Sequence, residues 1–275
     1  MTVKRSAVIL NTDAHRPARD QFVHHLNEVT RREGWRSYEA ISHWLDASFR
    51  TMRGATLSCR QADLAKNEAE YMRVVKRCRH PSETMQDLSR MLAACVMALE
   101  AERVDFIGPI FSELASSAQL GQFFTPYHVS RMIAETIVDD PRKMLEEGGR
   151  GFLTLQEPAC GVGGMVLAAC EVLRDRGLDL AREIHWTMVE IDYTAMCAAF
   201  IQTNLCGISA DIFHGNSLSL ETWLATSTLA AIVYPKRLKY DPKAMLPRQA
   251  PEPSGPETGV PRPSKPVQLS LFEKV

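Results

Sequence analysis

Several features that would settle the class of this chain at once are missing. No apolar run approaches the ~20 residues that a helix needs to cross a bilayer, so no membrane span is expected. Only four apolar residues, Ala7 to Leu10, follow Lys4, Arg5 and Ser6, too few for the core of a signal peptide. The cysteines number seven, an odd count, and no two form a Cys-x-x-Cys pair. That spacing excludes a zinc ribbon and a paired disulfide framework, and points to reduced thiols in the cytoplasm. The histidines show no His-x-x-x-His pattern beside an acid, so no metal site is expected. Excess charge is missing too: 32 basic against 33 acidic residues leave −1. A global pull on nucleic acid is thereby excluded, although local patches are not. Two exist, Arg73, Lys76, Arg77, Arg79 and His80, then Lys236, Arg237 and Lys239. The ordinary reading of the first is a solvated helix face.

What is present is a 275-residue chain with a hydrophobic fraction of 45%, which suits a folded core in one large domain or two modest ones. Apolar residues recur at helical spacing through residues 20 to 117. Phe22, Leu26 and Val29 form one stripe, stopped by Gly34; Ile41, Trp44, Leu45 and Phe49 form a second, stopped near Gly54. A third begins at Ser82, a candidate N-cap, and runs through Leu88, Met91 and Cys95 to Leu99; a fourth covers Val104 to Leu114. Such stripes are core-facing. A helical N-terminal domain is therefore expected over 1–117.

From Gly121 the pattern alternates. Thr125 can cap a helix that opens at Pro126, where a fixed φ is tolerated. Strands are predicted at Phe152 to Gln156, His185 to Val189, Asp211 to His214 and Leu229 to Tyr234, with helices over Gly164 to Leu173 and Tyr193 to Leu205. Repeated strand–helix units imply an α/β fold with a parallel, doubly wound sheet, placed at 118–240. Eight prolines then crowd 241–267, the composition of a disordered or polyproline-like linker. An apolar peptide, Gln268-Leu269-Ser270-Leu271-Phe272, lies in the final segment 268–275.

Two stretches carry the chemistry. Glu157-Pro158-Ala159-Cys160-Gly161-Val162-Gly163-Gly164 sits between a predicted strand and a predicted helix. Glycines there let the backbone approach a ligand and aim N–H groups at its polar atoms. An acid ending the next strand can accept hydrogen bonds from ribose hydroxyls. Glu190 and Asp192 stand 29 (190 − 161) and 31 (192 − 161) residues beyond Gly161. An ordinary strand–helix turn would use similar glycines. Cys160 reads as a packing residue, because no histidine partner stands at a recognisable spacing. The other stretch, Gly121-Gln122-Phe123-Phe124-Thr125-Pro126, begins 36 residues (157 − 121) before the first.

Taken together, these stretches resemble the N-6 adenine DNA methyltransferase family, and most of all the modification subunits of type I restriction systems. Asp105-Phe106-Ile107-Gly108 through Glu113-Leu114, and Val189-Glu190-Ile191-Asp192 with the helix to Gly207-Ile208, are similar as well. The resemblance covers about 104 to 220. It implies a Rossmann-like, S-adenosylmethionine (SAM)-dependent methyltransferase sheet, DNA as partner and SAM as cofactor. Phe123, Phe124, Thr125 and Pro126 would flank the methionine end of SAM. Glu157, Ala159, Gly161 and Gly163 would line its pocket, Glu190 would hold the ribose, and Ile191 would pack on the adenine. Asn216 stands where the family often has an aspartate contacting that ring.

The family also implies an Asn- or Asp-Pro-Pro-Tyr or -Phe motif after the fourth strand, to activate the weakly nucleophilic adenine amine. Ala231-Ile232-Val233-Tyr234-Pro235-Lys236 stands in that place, and no Asn-Pro-Pro occurs in the sequence. Tyr234 and Pro235 are the remaining catalytic candidates. The sheet is expected to be incomplete, about four strands where the family has seven. Three readings stay open: a degenerate or truncated methyltransferase, a module completed by a second subunit, or an unusual active site. The peptide at 268–272 is similar to the docking pentapeptide of bacterial sliding-clamp partners, with Gln268, Leu269, Leu271 and Phe272 as contacts. That resemblance supports an alternative, a non-catalytic SAM- or DNA-binding adaptor recruited to the clamp.

Overall fold

A computed structural model describes residues 13–57, 61–117 and 125–236. Gly121 to Phe124, the proline-rich segment and the terminal docking peptide lie outside the described residues.

The N-terminal part is helical, as its stripes predict. Helix α1 (Arg16–Glu33) buries Phe22, Leu26 and Val29. It stops at Gly34, whose φ of +72° is the left-handed conformation that glycine adopts without a Cβ clash. Helix α2 (Ser37–Thr56) runs through Gly54 and buries Ile41, Trp44, Leu45 and Phe49. Helix α3 (Gln61–Arg77) follows, and Arg73, Lys76, Arg77, Arg79 and His80 are all exposed on it or just after it.

Helix α4 (Pro81–Ala101) starts one residue before the expected cap, so Ser82 lies inside it. No side chain caps its end, but the buried carboxylate of Glu33 ties down the segment that enters it. It accepts the amides of Arg79 (2.6 Å) and His80 (3.1 Å) and the hydroxyl of Thr84 (2.5 Å). Burial alone would raise its pKa, but these three donors together hold it below the usual carboxylate range. Helix α5 (Ile107–Ser117) completes this part. Phe22 stacks edge-on against both Trp44 and Phe106, so α1, α2 and the approach to α5 share one interior.

Helices α6 (Tyr127–Ile137) and α7 (Pro141–Gly148) precede the sheet. The cap of α6 is Pro126, not Thr125, and no side chain bonds to its end. The sheet order is β1 (Leu153–Glu157), β2 (Ile184–Glu190), β3 (Ala210–Asn216), β4 (Glu221–Ser227). Helix α8 (Gly164–Asp175) links β1 to β2 and helix α9 (Tyr193–Leu205) links β2 to β3. Both links join parallel neighbours, with Leu155 opposite Trp186 and Met188 opposite Ile212. This is a helical region followed by a four-stranded, mostly parallel sheet of incomplete Rossmann-like form. One apolar core runs through both parts, from Ala18 to Ile212, and α2 packs on α9.

The fourth strand differs from expectation. It is Glu221–Ser227, antiparallel to β3, and the predicted strand Leu229 to Tyr234 is instead a short helix, α10 (Leu229–Val233). Thr228 accounts for the change. Its hydroxyl donates to Ile208 O (2.7 Å) and accepts the amide of Ala210 (3.0 Å). That exchange ends the strand and turns the chain before the apolar run begins. A short apolar run has no period of its own to decide between strand and helix.

Candidate cofactor site

The C-terminal ends of β1 and β2 open onto a cavity of about 390 Å³. Parallel sheets place ligand sites at this end, where strands hand over to helices. The handover here is the loop from Glu157 to Gly163. Gly161 and Gly163 sit at φ +54° and +94°, and a Cβ on Gly163 would come within 3.3 Å of the Ala199 backbone. Only glycine lets the loop turn this close to α9.

Glu190, at the end of β2, holds the loop. One of its carboxylate oxygens accepts the amide of Gly161 at 2.7 Å, and the other accepts the amide of Asp192 at 2.9 Å. Asp192 in turn caps α9, accepting the Ala195 amide at 2.7 Å. One acid thus joins the glycine loop to the start of the following helix. Glu157 accepts the amide of Ala159 at 3.1 Å and shapes the loop from the other side.

The cavity brings together Thr125, Glu157, Ala159, Gly161 and Glu190 of the residues expected from sequence. Gly163 shapes the loop without lining the space. Ile191 is 58% exposed beside it, its carbonyl in contact with the His214 ring at 3.1 Å. Asn216 is not a lining residue. Its side-chain oxygen accepts the amides of Leu218 (2.9 Å) and Ser219 (3.3 Å), which closes the turn between β3 and β4. Pro126 caps α6 next to the cavity. Phe123 and Phe124 lie outside the described residues. Burial pushes the Cys160 thiol well above its ordinary value, so it stays protonated and packs, in keeping with its sequence reading.

Tyr234 and Pro235 lie elsewhere. Antiparallel β4 returns the chain to the opposite end of the sheet. There the Tyr234 ring stacks under the Arg182 guanidinium, 4.8 Å from its centroid, and Lys236 bonds to Ser209 at 3.0 Å. The length of β2, seven residues, separates that end from the cavity by roughly 20 Å at ~3.3 Å per residue.

Two polar lining residues were given no role by the sequence. Asp105 is buried, and its carboxylate accepts the Gly108 amide at 2.8 Å and the Gln202 side-chain amide at 2.9 Å. Burial raises its pKa. Ser130, on α6, is 1% exposed, and its hydroxyl finds no partner among the described residues. A sequence signal existed for Asp105 alone, as a capping acid three residues before Gly108.

Among the described residues the lining contains three carboxylates, Asp105, Glu157 and Glu190, and no lysine, arginine or histidine. An enclosure of that charge favours a cationic ligand. SAM carries a sulfonium and an ammonium, and its adenosine carries ribose hydroxyls that an acid such as Glu190 can accept. The residues present therefore fit it. No cluster able to hold a metal ion occurs among the described residues. No described helix is long and apolar enough to cross a membrane.

Residues 109–236 match the model of the family described as N-6 DNA methylase. No curated protein matches the chain. Among solved structures, one similar chain is a Listeria monocytogenes protein assigned to the class I S-adenosylmethionine-dependent methyltransferases. It is 15% identical, with a TM-score of 0.36, and the alignment covers 74% of this chain and 55% of that one.

Proposed function

We propose that this protein, whose residues 109–236 match the model of the N-6 DNA methylase family, takes part in methyl transfer from SAM to the exocyclic amine of adenine in DNA. The observation that carries this reading is the acid-lined cavity at the ends of β1 and β2, closed by a glycine loop that Glu190 holds. When bound, SAM supplies an electrophilic methyl group. The chain's own residues do the holding: Glu190 fixes the loop and faces the ribose, Glu157 shapes the loop, and Thr125 borders the methyl-bearing end.

Adenine's amine is a poor nucleophile because its lone pair is delocalised into the ring. Catalysis needs acceptors for its hydrogens and a surface to stack the flipped base. Tyr234 and Pro235 stand at the wrong end of the sheet for that work. We infer that a second subunit completes the acceptor site and supplies target recognition. Strand β1 supports this, because it is an edge of the described sheet, with Thr154 and Gln156 exposed.

Incubation with methyl-labelled SAM and unmethylated DNA tests the reading. Label in adenine N6 on adding the partner subunit is the expected result. SAM retained by the protein, with no transfer under any pairing, would leave the adaptor reading, which the missing acceptor motif favours. On that reading a cytoplasmic clamp recruits the chain through Gln268 to Phe272. Deleting those five residues should abolish clamp pull-down, and unchanged capture would reject the docking role.

A further inference from the structure

We propose that a second cavity, between Arg103 and Arg174, binds a phosphate monoester, the two guanidiniums holding its phosphate while Leu178, Leu180 and Cys206 support its apolar body. The proposal stands apart from the SAM reading, because this cavity lies at the other end of the sheet.

The cavity measures about 340 Å³, at the lower end of the ~300–1,000 Å³ found for small-molecule sites. It forms where helices end and strands have not yet begun. Arg103 follows α4, Arg174 lies in the last turn of α8, Leu205 ends α9 and Cys206 is its C-cap. Leu178 to Ala181 lead into β2, and Gly207 leads into β3. These are the starts of the strands, whereas the acid-lined cavity lies at their ends.

The fold makes no use of either guanidinium. Among the described residues, neither has a hydrogen-bond or ion-pair partner. Arg103 is exposed and Arg174 half-buried, so a ligand reaches both from solvent. An arginine at a helix end often bonds the last carbonyls, but main-chain amides already take those. Leu178 and Gly177 donate to Leu173 O (3.1 Å) and Arg174 O (2.8 Å) of α8, and Ile208 and Gly207 donate to Thr203 O (3.0 Å) and Asn204 O (3.2 Å) of α9. Both guanidiniums act on one thiol, that of Cys206. Burial pushes this thiol up to about 12 against their pull, so it stays neutral and leaves both charges to a ligand.

Asp179 is the one acid in the lining among the described residues, and its charge is spent on its own turn. Its carboxylate accepts the amides of Ala181 (2.9 Å) and Arg182 (3.2 Å) and stands 3.8 Å from Arg182 Nε. Lys236 bonds to the carbonyl of Ala181 on the same rim, so the second basic patch of the sequence begins beside this cavity. A phosphate monoester carries about −1.5 to −2 charges at neutral pH, which two guanidiniums balance. Its oxygens accept the paired N–H groups of a guanidinium fork. A carboxylate would balance only one. Leu178, Leu180 and Cys206 are buried and give the rest of the ligand an apolar floor.

Calorimetric titration of the 275-residue chain with phenyl phosphate tests this, beside inorganic phosphate and benzoate. Phenyl phosphate should bind at one site. The other two should bind about 10-fold or more weakly, the first for want of an apolar body and the second for want of charge. Arg103→Met and Arg174→Met keep most of the apolar stem and should each weaken phenyl phosphate by about 10-fold. Arg182→Met removes a nearby arginine outside the lining and should leave the affinity unchanged. Thymidine 5′-monophosphate separates the sources: tighter binding than phenyl phosphate marks a nucleotide, weaker binding a non-nucleotide monoester, and both keep the site. Equal losses in all three variants would mean a diffuse positive field and overturn the proposal. No binding of phenyl phosphate would do the same. Competition by SAM would put the probe in the cofactor cavity, and displacement by duplex DNA would give the arginines to a phosphodiester backbone; either result also overturns it.

Discussion

Gln202→Leu should destabilise the protein by about 3–5 kcal/mol in urea or thermal unfolding, because several buried groups lose their partners at once. Gln202 lies on α9 and is fully buried. Its side-chain oxygen accepts the amides of Phe106 (2.9 Å) and Ile107 (3.0 Å), and its nitrogen donates to Asp105 (2.9 Å) and to Val162 O (2.9 Å). Leucine fills similar space, so no large cavity forms and the loss is one of hydrogen bonding. Two amides would lie buried and unsatisfied at the start of α5. The glycine loop would lose its tie at Val162, and Asp105 would lose its orienting donor. A loss below ~1 kcal/mol would show that water replaces these bonds and that the network is not structural.

Glu190→Ala should lower SAM affinity by roughly 100-fold or more, a larger effect than any other single lining residue, because two functions end together. The first is the ribose acceptor. The second is the tie between Gly161 and Asp192, one amide on each side of the cavity mouth. Without it, the Gly161 amide turns from the loop geometry that φ +54° sets. Glu190→Gln keeps one acceptor oxygen and should lose less, about 10-fold. Equal losses for alanine and glutamine would assign the whole effect to charge. An unchanged affinity in both variants would remove Glu190 from the site.

Some of this site was open to sequence reading and some was not, and the division is physical. The glycine loop and Glu190 are local signals: a turn that only glycine makes, then an acid where the next strand ends. Helix stripes such as Phe22, Leu26 and Val29 are local as well, and they form as read. Asp105 and Ser130 gain their meaning from contacts across the fold. Asp105 meets Gln202, 97 residues away, and no spacing rule links such a pair. Ser130 is notable only for a hydroxyl with no partner among the described residues, which packing alone reveals. The entry to α4 has the same character, since Glu33 reaches Thr84 across 51 residues while Ser82, the local candidate, lies inside the helix. The run Leu229 to Tyr234 shows the opposite failure. Its composition suits a strand, but Thr228 turns the chain first, and antiparallel β4 has already carried it away from the cavity.

The account stands on one claim, that the acid-lined cavity at the ends of β1 and β2 binds SAM. Titrating SAM into the 275-residue chain, with Glu190→Ala alongside, measures it directly. One site per chain, with binding lost in the variant, is the predicted result. No binding by the wild-type chain, or the same isotherm for both proteins, would contradict it.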